Sequence, residues 1–382
     1  MFAEAKRWSR GALAGVGMIA SANHRRHAKL PRCVIDSAPP GVFDARMKVL
    51  IIGGTGLIST GIVKALQTRE ADITVFNRGK TEDNLGKVTR LQGDRSDFNS
   101  FEKTVAAHGP WDVVIDMICF NADQAESDVR ALDGRCGHFI FCSTVCTYGN
   151  TQAIVPTDEL TPQRPHSDYG RGKVACEQIF LRAHEAGKFP VTIIRPSHTY
   201  GPSGPVINNL GWEPSFVDRL RRGLPVIVSG DGHGLWQSCY HEDVGRGFAY
   251  AAGERHCFGE AYNATADEVV TWDEYTRRTA AAIGAPEPEI VHIPTDLLLT
   301  LRQERLQPLE EIFRYHGVYS SEKLKRDVPE FCQKTPYDEG VRRTVAWLDA
   351  HNKITPAQED DFVDGIIARW ENVSGEFVRA LA

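Results

Sequence analysis

A short apolar run that ends in a glycine turn is the feature that most constrains the fold of this chain. Residues 48–52 are almost wholly apolar, Gly53 and Gly56 define the turn, and residues 57–67 have the apolar spacing of a helix. This order lets backbone N–H groups and the positive end of the helix dipole approach a pyrophosphate. Ser59 stands where a third glycine is usual, and because serine is small we expect it to be tolerated. The predicted cofactor-binding residues of the turn are Gly53, Thr55, Gly56, Leu57 and Ile58.

The second predicted strand indicates which dinucleotide is bound. Asn77 and Arg78 follow the strand of residues 73–76, at the place where an acidic residue would normally hold the adenosine ribose of NAD. Asn77 removes the carboxylate that would repel a 2′-phosphate, and Arg78 could pair with such a phosphate. We therefore expect NAD(P) as the cofactor with a preference for NADP. NAD stays open, because Arg78 could equally be an ordinary surface arginine.

Asp94 follows the next predicted strand, residues 88–92, and two roles are open for it. Its carboxylate could reach the adenine amine, or it could cap the helix that begins near Asp97. Arg95, the next residue, is included in the predicted cofactor site.

An acid–base pair is predicted downstream of the cofactor site. Thr144 follows another apolar strand, residues 138–141, and Tyr169 and Lys173 are four residues apart in a predicted helix, so they share one helix face. A lysine ammonium beside a phenol lowers the phenol pKa, so that the phenol can accept a proton from an alcohol. The Thr144 hydroxyl would hold the same oxygen. We predict these three as catalytic residues; a packed tyrosine with a solvated lysine is the alternative.

Further motifs follow one another between residues 47 and 350: 53–59, Gly93 with Asp94, 139–144, Tyr148 with Gly149, Tyr169 with Lys173, 194–202 and 241–243. Together they resemble the extended short-chain dehydrogenase/reductases, in the branch of NAD-dependent epimerase/dehydratases. The resemblance implies an α/β fold, a doubly wound (Rossmann) parallel sheet with a smaller C-terminal substrate-binding lid domain. It also implies a catalytic role for Thr144, Tyr169 and Lys173, with Lys173 holding the cofactor as well. A homodimer through the Tyr169 helix and residues 123–131 is expected from the same family.

One departure from the family pattern bears on the reaction. Sugar-nucleotide dehydratases of the family carry an Asp-Glu pair directly after the catalytic threonine, and this chain has Val145 and Cys146 there. Because neither side chain can protonate a leaving hydroxyl, dehydration is disfavoured, as is decarboxylation that uses a glutamate in the same stretch. The remaining chemistry is hydride transfer, either an epimerase reaction through a keto intermediate or simple oxidation and reduction by a dehydrogenase/reductase.

A second departure concerns the substrate. Where nucleotide-sugar epimerases have an arginine and an asparagine for the diphosphate, this chain has Trp236 and His198. A tryptophan cannot replace a bidentate arginine on a phosphate. Trp236 could stack on a sugar face, or Trp236 and Trp212 could simply pack. The predicted substrate residues are Ser197, His198 and Trp236, and a structural role stays open for His198. The resemblance implies a sugar or nucleotide-sugar as substrate, and this departure favours one without a nucleotide diphosphate.

Composition bears on the compartment and the partners. The net charge of −6 over 382 residues argues against a nucleic-acid surface. Nine cysteines show no metal-binding spacing, and no apolar stretch is long enough to span a bilayer. We expect a cytoplasmic enzyme with a small carbohydrate substrate and no metal, nucleic-acid or membrane partner. An RNA-binding or regulatory protein of the same fold is the alternative, because some proteins that resemble this Asn-Arg-Gly variant have such roles.

The chain divides into three predicted parts. Residues 1–46 are basic and moderately apolar, and we expect an over-extended start or a disordered leader, with export or organelle targeting as the alternative. Residues 47–200 are predicted to form the NAD(P)-binding domain, its sheet completed by later segments. Residues 201–382 are predicted to supply mostly substrate-binding and closing helices, over 215–222, 240–252, 271–283, 336–351 and 356–382. Glu177 and Gln178 are expected at the surface or in the dimer contact.

Overall fold

The computed structural model describes residues 46–80, 85–149, 155–212 and 215–381, so the predicted leader lies outside the described residues except for Arg46. The strands are β1 (Lys48–Ile52), β2 (Asp72–Asn77), β3 (Thr89–Gln92), β4 (Val113–Asp116), β5 (Phe139–Cys142), β6 (Val191–Pro196), β7 (His198–Tyr200), β8 (Val226–Ser229), β9 (Leu235–Trp236), β10 (Ser238–Tyr240), β11 (Ala261–Ala264), β12 (Val270–Thr271) and β13 (Ile290–Ile293). The α-helices are α1 (Leu57–Thr68), α2 (Phe98–His108), α3 (Ala122–Leu132), α4 (Asp168–Glu185), α5 (Phe216–Arg221), α6 (His241–Ala251), α7 (Trp272–Ala282), α8 (Thr295–Leu299), α9 (Glu322–Asp327), α10 (Tyr337–Ala350) and α11 (Phe362–Leu381).

Seven strands form one parallel sheet, in the order β11-β6-β5-β4-β1-β2-β3. The strand order reverses at β1, which pairs with β2 on one side and β4 on the other. In open α/β sheets, ligands bind beyond the carboxyl ends of the strands at such a reversal. The predicted doubly wound parallel sheet is therefore confirmed, and the glycine turn lies at its reversal point.

Apolar side chains cover both faces of this sheet. Val49 and Ile51 of β1 share a buried cluster with α1 and α6, whereas Leu50 and Ile52 share one with α2, α3 and α4. Neighbouring residues of a strand point to opposite faces, and both faces of a parallel sheet are covered by helices. This is why the strand is a continuous apolar run.

Helices α1 and α6 approach closely because a glycine of each lies at their contact. A Cβ on Gly61 would lie 2.4 Å from the carbonyl oxygen of His241, and a Cβ on Gly245 would lie 2.4 Å from the carbonyl carbon of Gly61. A side chain at either position would force the helices apart. The contact thus holds the 241–243 motif against the helix of the glycine turn.

Short paired strands and helices of the later part of the chain form a smaller lobe, whereas β11 belongs to the parallel sheet and α6 covers it. β7 pairs with β10 and β8 with β13 in parallel, and β9 pairs with β12 in antiparallel orientation. The predicted helices are confirmed as α5, α6, α7 and α10. α11 begins at Phe362 rather than at residue 356, because Ala357–Glu359 form a separate 3₁₀ turn.

None of the helices in the described part of the chain is both long and apolar enough to cross a membrane. The eight cysteines that the structure describes are all free thiols.

Candidate active site

The turn after β1 has the geometry that a pyrophosphate requires. Gly53 has a left-handed φ of 86°, and a Cβ there would lie 2.5 Å from the Ile118 side chain. The Ser59 hydroxyl donates a 2.7 Å hydrogen bond to the Gly53 carbonyl oxygen, so the residue that replaces the third glycine ties the turn together. Within the described residues no side chain caps α1 at Gly56, which leaves the N–H groups of its first turn for an anion.

A cleft of about 470 Å³ extends from this turn past the ends of β2 and β3. It brings together most of the residues predicted for the cofactor: Gly53, Thr55, Gly56, Asn77, Arg78, Asp94 and Arg95. Lys80 lines the same cleft and was missed, although it lies two residues beyond Arg78 in the sequence. The residues present thus fit a dinucleotide, with glycine backbone at one end of the cleft and two cationic side chains near the other.

Asp94 lines the cleft and does not cap the following helix. Its Oδ1 accepts a 2.8 Å hydrogen bond from the N–H of Ser96, while Asp97 is the N-cap of α2 and accepts from the N–H of Ser100 at 3.1 Å. The capping alternative is therefore wrong, because Asp97 takes that role. The pKa of the Asp94 carboxyl is lowered, first by the Ser96 hydrogen bond and further by the nearby Arg78.

The predicted cofactor role of Arg95 does not hold for its guanidinium, which points into the protein interior. It is 4% exposed and forms ion pairs with Asp128 at 2.7 Å and Asp116 at 3.0 Å. Asp116, Cys119 and Asp128 have ligand atoms within 4.8 Å of one another, and the Arg95 guanidinium is the cation beside them. Burial raises the pKa of Asp128, and Arg95 opposes that rise. The backbone of Arg95, and not its side chain, is therefore available to contact the cofactor.

A second cleft, of about 320 Å³, shares the glycine turn with the first. Its lining includes Leu57, Ile58, Thr144, Tyr169, Lys173 and Ser197. The ammonium of Lys173 donates a 2.7 Å hydrogen bond to the Cys142 carbonyl oxygen and lies over the rings of Phe120 and Phe141. Lys173 is 1% exposed, so the alternative of a solvated lysine is wrong.

Helix starts position the two hydroxyl groups of this site. Thr144 is the N-cap of a 3₁₀ helix over Val145–Tyr148, and its Oγ1 accepts from the N–H of Cys146 at 3.2 Å. Ser167 caps α4 by accepting from the N–H of Gly170 at 3.1 Å, which places Tyr169 in the first helical turn.

The pKa of Tyr169 is raised in this arrangement, not lowered as the sequence predicted. Burial of its hydroxyl is the largest cause, the thiols of Cys142 and Cys146 add to it, and a hydrogen bond from Thr144 opposes it. The Lys173 Nζ lies 5.8 Å from the centre of the Tyr169 ring. The residue as a whole is 46% exposed, so its ring is accessible while its hydroxyl end lies among the groups named.

The residues predicted for the substrate lie at different depths. His198 is half-buried; its Nδ1 forms a 2.8 Å hydrogen bond with the Ser238 hydroxyl, and its Nε2 is buried without a partner in the described part of the chain. Burial lowers the pKa of His198 to about 3, so its ring is neutral at pH 7. Trp236 is 5% exposed and stacks on Trp272 with ring centres 4.7 Å apart. Trp236 is therefore a packed residue, and its ring is not open for a sugar to stack on.

The expectation for Glu177 is wrong, although Gln178 beside it is exposed. Glu177 is 1% exposed and accepts two hydrogen bonds from Arg195, at 2.9 and 2.6 Å. It also accepts from the Ser143 hydroxyl at 2.5 Å, and Arg195 donates to the Tyr148 hydroxyl at 2.8 Å. A buried charged cluster therefore lies directly behind the predicted catalytic threonine.

Two sequence signals could have revealed this cluster. Glu177 lies four residues after Lys173, on the same face of α4, and that face is buried. Arg195 is the charged residue in strand β6, and all residues of that strand are buried. A buried arginine requires an acidic partner, so the two positions predict one another.

The comparison with known families gives one match over more than half of the chain. A model described as the NAD dependent epimerase/dehydratase family matches residues 49–264. The matched range runs from the second residue of β1 to the end of β11, so it contains all of the parallel sheet except Lys48 and all three predicted catalytic residues.

The names of similar proteins describe different activities. Chloroplast stem-loop binding protein of 41 kDa b from Arabidopsis thaliana is 30% identical over 259 residues, which are 64% of this chain and 65% of that protein, so the chain spans just under two thirds of that relative. The 2'-dehydrokanamycin reductase of Streptomyces kanamyceticus is 25% identical over 82% of this chain and 87% of its own. The structure of dTDP-glucose 4,6-dehydratase from Bacillus anthracis in complex with NAD superposes with a TM-score of 0.64, at 18% identity over 80% of this chain and 97% of that one.

Proposed function

This chain belongs to the NAD dependent epimerase/dehydratase family, and on that premise we propose that it is an NAD(P)-dependent, epimerase-like oxidoreductase. It acts on a hydroxyl-bearing carbon of a sugar or nucleotide-sugar, and the reaction proceeds through a keto intermediate. The observation that carries this proposal is the meeting of Thr144, Tyr169 and Lys173 in a cleft that shares the glycine turn. A dehydrogenase or reductase of a carbohydrate or other carbonyl compound is the second candidate.

Each of the three side chains has a defined part in this chemistry. The Tyr169 hydroxyl exchanges a proton with the substrate oxygen, and the Thr144 hydroxyl hydrogen-bonds Tyr169 and orients that oxygen. Lys173 is held by the Cys142 carbonyl, and its remaining N–H groups would hold a ribose hydroxyl of the cofactor. The nicotinamide of a bound NAD(P) supplies the hydride acceptor or donor.

Dehydration remains disfavoured in this proposal, for a reason that lies next to Thr144. Dehydratases need an acid and a base beside the keto sugar, and Val145 and Cys146 occupy those positions. Burial raises the pKa of the Cys146 thiol, which keeps it protonated and unable to act as a base near neutral pH. A dehydratase is among the similar structures, but at 18% identity that likeness shows the fold alone.

The lining described for the second cleft has no arginine to clamp a diphosphate, which favours a sugar without a nucleotide diphosphate. Ser197 and Thr199 line the cleft there, whereas the neutral ring of His198, between them in the sequence, is outside its lining. Trp212 is 55% exposed and its ring centre lies 6.4 Å from that of His198, but it lines a separate cleft with Pro205 and Trp347. The name of the Streptomyces relative, a reductase of 2'-dehydrokanamycin, supports the same class.

The experiment that tests the function is mass spectrometry of the small molecules released from the denatured full chain, beside nicotinamide fluorescence of the native protein. We expect NAD(P) to be retained, because an epimerase returns its hydride within one turnover. Cofactor that washes away and rebinds would favour the dehydrogenase or reductase. If neither form binds at all, the enzyme proposal is overturned, and a role like that named for the stem-loop binding relative becomes the better one.

The preference for NADP is a further part of this proposal. Arg78 and Lys80 both line the adenosine end of the cleft, and the Asn77 Oδ1 accepts a 2.9 Å hydrogen bond from the N–H of Gly79, which fixes the turn between them. We expect Arg78→Gln to weaken NADPH binding by about 10- to 100-fold, the usual value of a charge-assisted hydrogen bond, and NADH binding hardly at all.

Titration of nicotinamide fluorescence with each dinucleotide measures this difference. Lys87→Gln is the control, because Lys87 is an exposed cation of the same connection that does not line the cleft. Equal losses for NADPH and NADH in Arg78→Gln would contradict this basis for an NADP preference, because Arg78 would then not contact the 2′-phosphate.

A further inference from the structure

Two buried thiols lie in contact behind the wall that the two clefts share. Cys119 is in the connection from β4 to α3, and Cys176 is on α4. Their sulfur atoms are 3.6 Å apart, and the Cys119 thiol donates a hydrogen bond to that of Cys176. Ile118 and Phe120, on either side of Cys119, line both clefts. A change at the two sulfurs would therefore reach both clefts.

The backbones of α4 and of this connection approach closely because α4 has a glycine at the contact. A Cβ on Gly172 would collide with the Phe120 carbonyl oxygen. Gly172 and Cys176 are four residues apart, so they lie on the same face of the helix. The Cys176 thiol also donates a 3.2 Å hydrogen bond to the Asn121 carbonyl oxygen. Two cysteines form a disulfide only where their backbones come this near to one another.

The two thiols differ in how readily they ionise. The pKa of Cys176 is lowered, first by the hydrogen bond from Cys119 and further by the ammonium of Lys173. The pKa of Cys119 is raised, chiefly by burial, then by its hydrogen bond to Cys176 and by the nearby Asp128. Because the thiolate is the nucleophile in thiol oxidation, Cys176 is the sulfur that reacts first, and Cys119 is placed to resolve the product.

We propose that Cys119 and Cys176 are a reversible redox pair, in which hydrogen peroxide converts the two thiols into a disulfide and thereby weakens dinucleotide binding. Both side chains are 0% exposed, so a protein disulfide cannot reach them, whereas peroxide is hardly larger than water. The effect on the dinucleotide rests on the proposed function, and formation of the disulfide does not.

The reaction balances with one peroxide for each pair. The Cys176 thiolate attacks one peroxide oxygen and the O–O bond breaks, and the departing hydroxide takes up the thiol proton to form water. The Cys119 thiol then forms the S–S bond at the sulfenic acid of Cys176, which releases a second water. Two electrons pass from the sulfurs to the peroxide, and dithiothreitol reverses the change by thiol–disulfide exchange.

Closure of the bond would disturb the dinucleotide site. The two sulfurs must approach from 3.6 Å to about 2.05 Å, which draws the connection and α4 together. Ile118 packs so closely on Gly53 that the turn has no room for a Cβ, and the Lys173 Nζ lies 4.7 Å from the centre of the Phe120 ring. Because both contacts shift with the connection, we expect oxidation to weaken NADPH and NADH binding about tenfold.

Intact-mass measurement and peptide mapping of the full chain after peroxide treatment test the pair. We expect the loss of two hydrogen atoms, a cross-linked peptide that contains Cys119 and Cys176, and recovery of the starting mass with dithiothreitol. Titration of nicotinamide fluorescence before and after oxidation measures the affinity. Cys119→Ser and Cys176→Ser should each prevent both the cross-link and the change in affinity. Cys136→Ser, at a part-exposed thiol elsewhere, should retain both.

Three results would overturn the proposal. Peroxide could leave both thiols reduced, or it could oxidise them separately without a cross-link. The third is a cross-link that leaves the affinity for NADPH unchanged. A reduced protein that binds neither dinucleotide would instead overturn the proposed function and with it the effect on affinity, whereas the cross-link is detected by mass whether or not a dinucleotide binds.

Discussion

Replacement of Tyr169 by phenylalanine lowers the rate of hydride transfer by about 10²- to 10⁴-fold, because it removes the group that exchanges the substrate proton. Phenylalanine keeps the ring, so the contacts at the start of α4 are retained and the fold should be unchanged. The measurement is the single-turnover change in nicotinamide fluorescence after adding a sugar that the unaltered enzyme oxidises or reduces. Cofactor retained in the same preparation shows that the loss is chemical.

The pH dependence gives this prediction a second readout. Since the pKa of Tyr169 is raised in the structure, oxidation of a sugar hydroxyl should accelerate as pH rises into the alkaline range, where more of the phenol is deprotonated. Reduction needs the protonated phenol and should slow over the same range. Both dependences should disappear in Tyr169→Phe.

Tyr250→Phe is the matched control, because Tyr250 lies on α6 against Arg69 and lines neither cleft. It should keep the full rate. A Tyr169→Phe variant that also keeps the rate would remove the tyrosine from the mechanism, and the packed-tyrosine alternative would then stand.

The fold could be predicted from the sequence where local patterns are strong. The glycine turn, the apolar runs of β1, β2 and β5 and the family resemblance predicted a doubly wound parallel sheet, but not that it has seven strands. The strands of the smaller lobe were mostly missed, since β9 and β12 have two residues each and are fixed only by their partners. Short pairs of this kind carry no periodicity of their own.

The candidate site was predicted by residue type but not by burial. Thr144, Tyr169 and Lys173 do meet at one cleft, and Asn77, Arg78 and Asp94 line the other. Arg95, Trp236 and Glu177 were misjudged for one physical reason. Whether a charge or an indole faces solvent depends on partners far away in the chain, such as Asp128 for Arg95 and Arg195 for Glu177, and a single sequence does not show them.

The buried Glu177 gives the largest expected effect on stability. We expect Glu177→Ala to lower the free energy of unfolding by about 3–5 kcal/mol, because it leaves the guanidinium of Arg195 buried without its counter-charge. Arg195 is only 6% exposed, and its Nε and Nη2 both donate to Glu177. Urea unfolding followed by tryptophan fluorescence measures the change. Gln178→Ala, at the exposed neighbour, should stay within about 0.5 kcal/mol of the unaltered protein.

The double variant Glu177→Met, Arg195→Met separates the value of the pair from the cost of an unpaired charge. Removing both charges should recover most of the loss, since an apolar pair of similar size can replace a buried ion pair. Recovery should be incomplete, because the hydroxyls of Ser143 and Tyr148 each lose a partner. If Glu177→Ala proves no worse than Gln178→Ala, water or another group must reach Arg195, and the charged cluster behind Thr144 does not stabilise the fold.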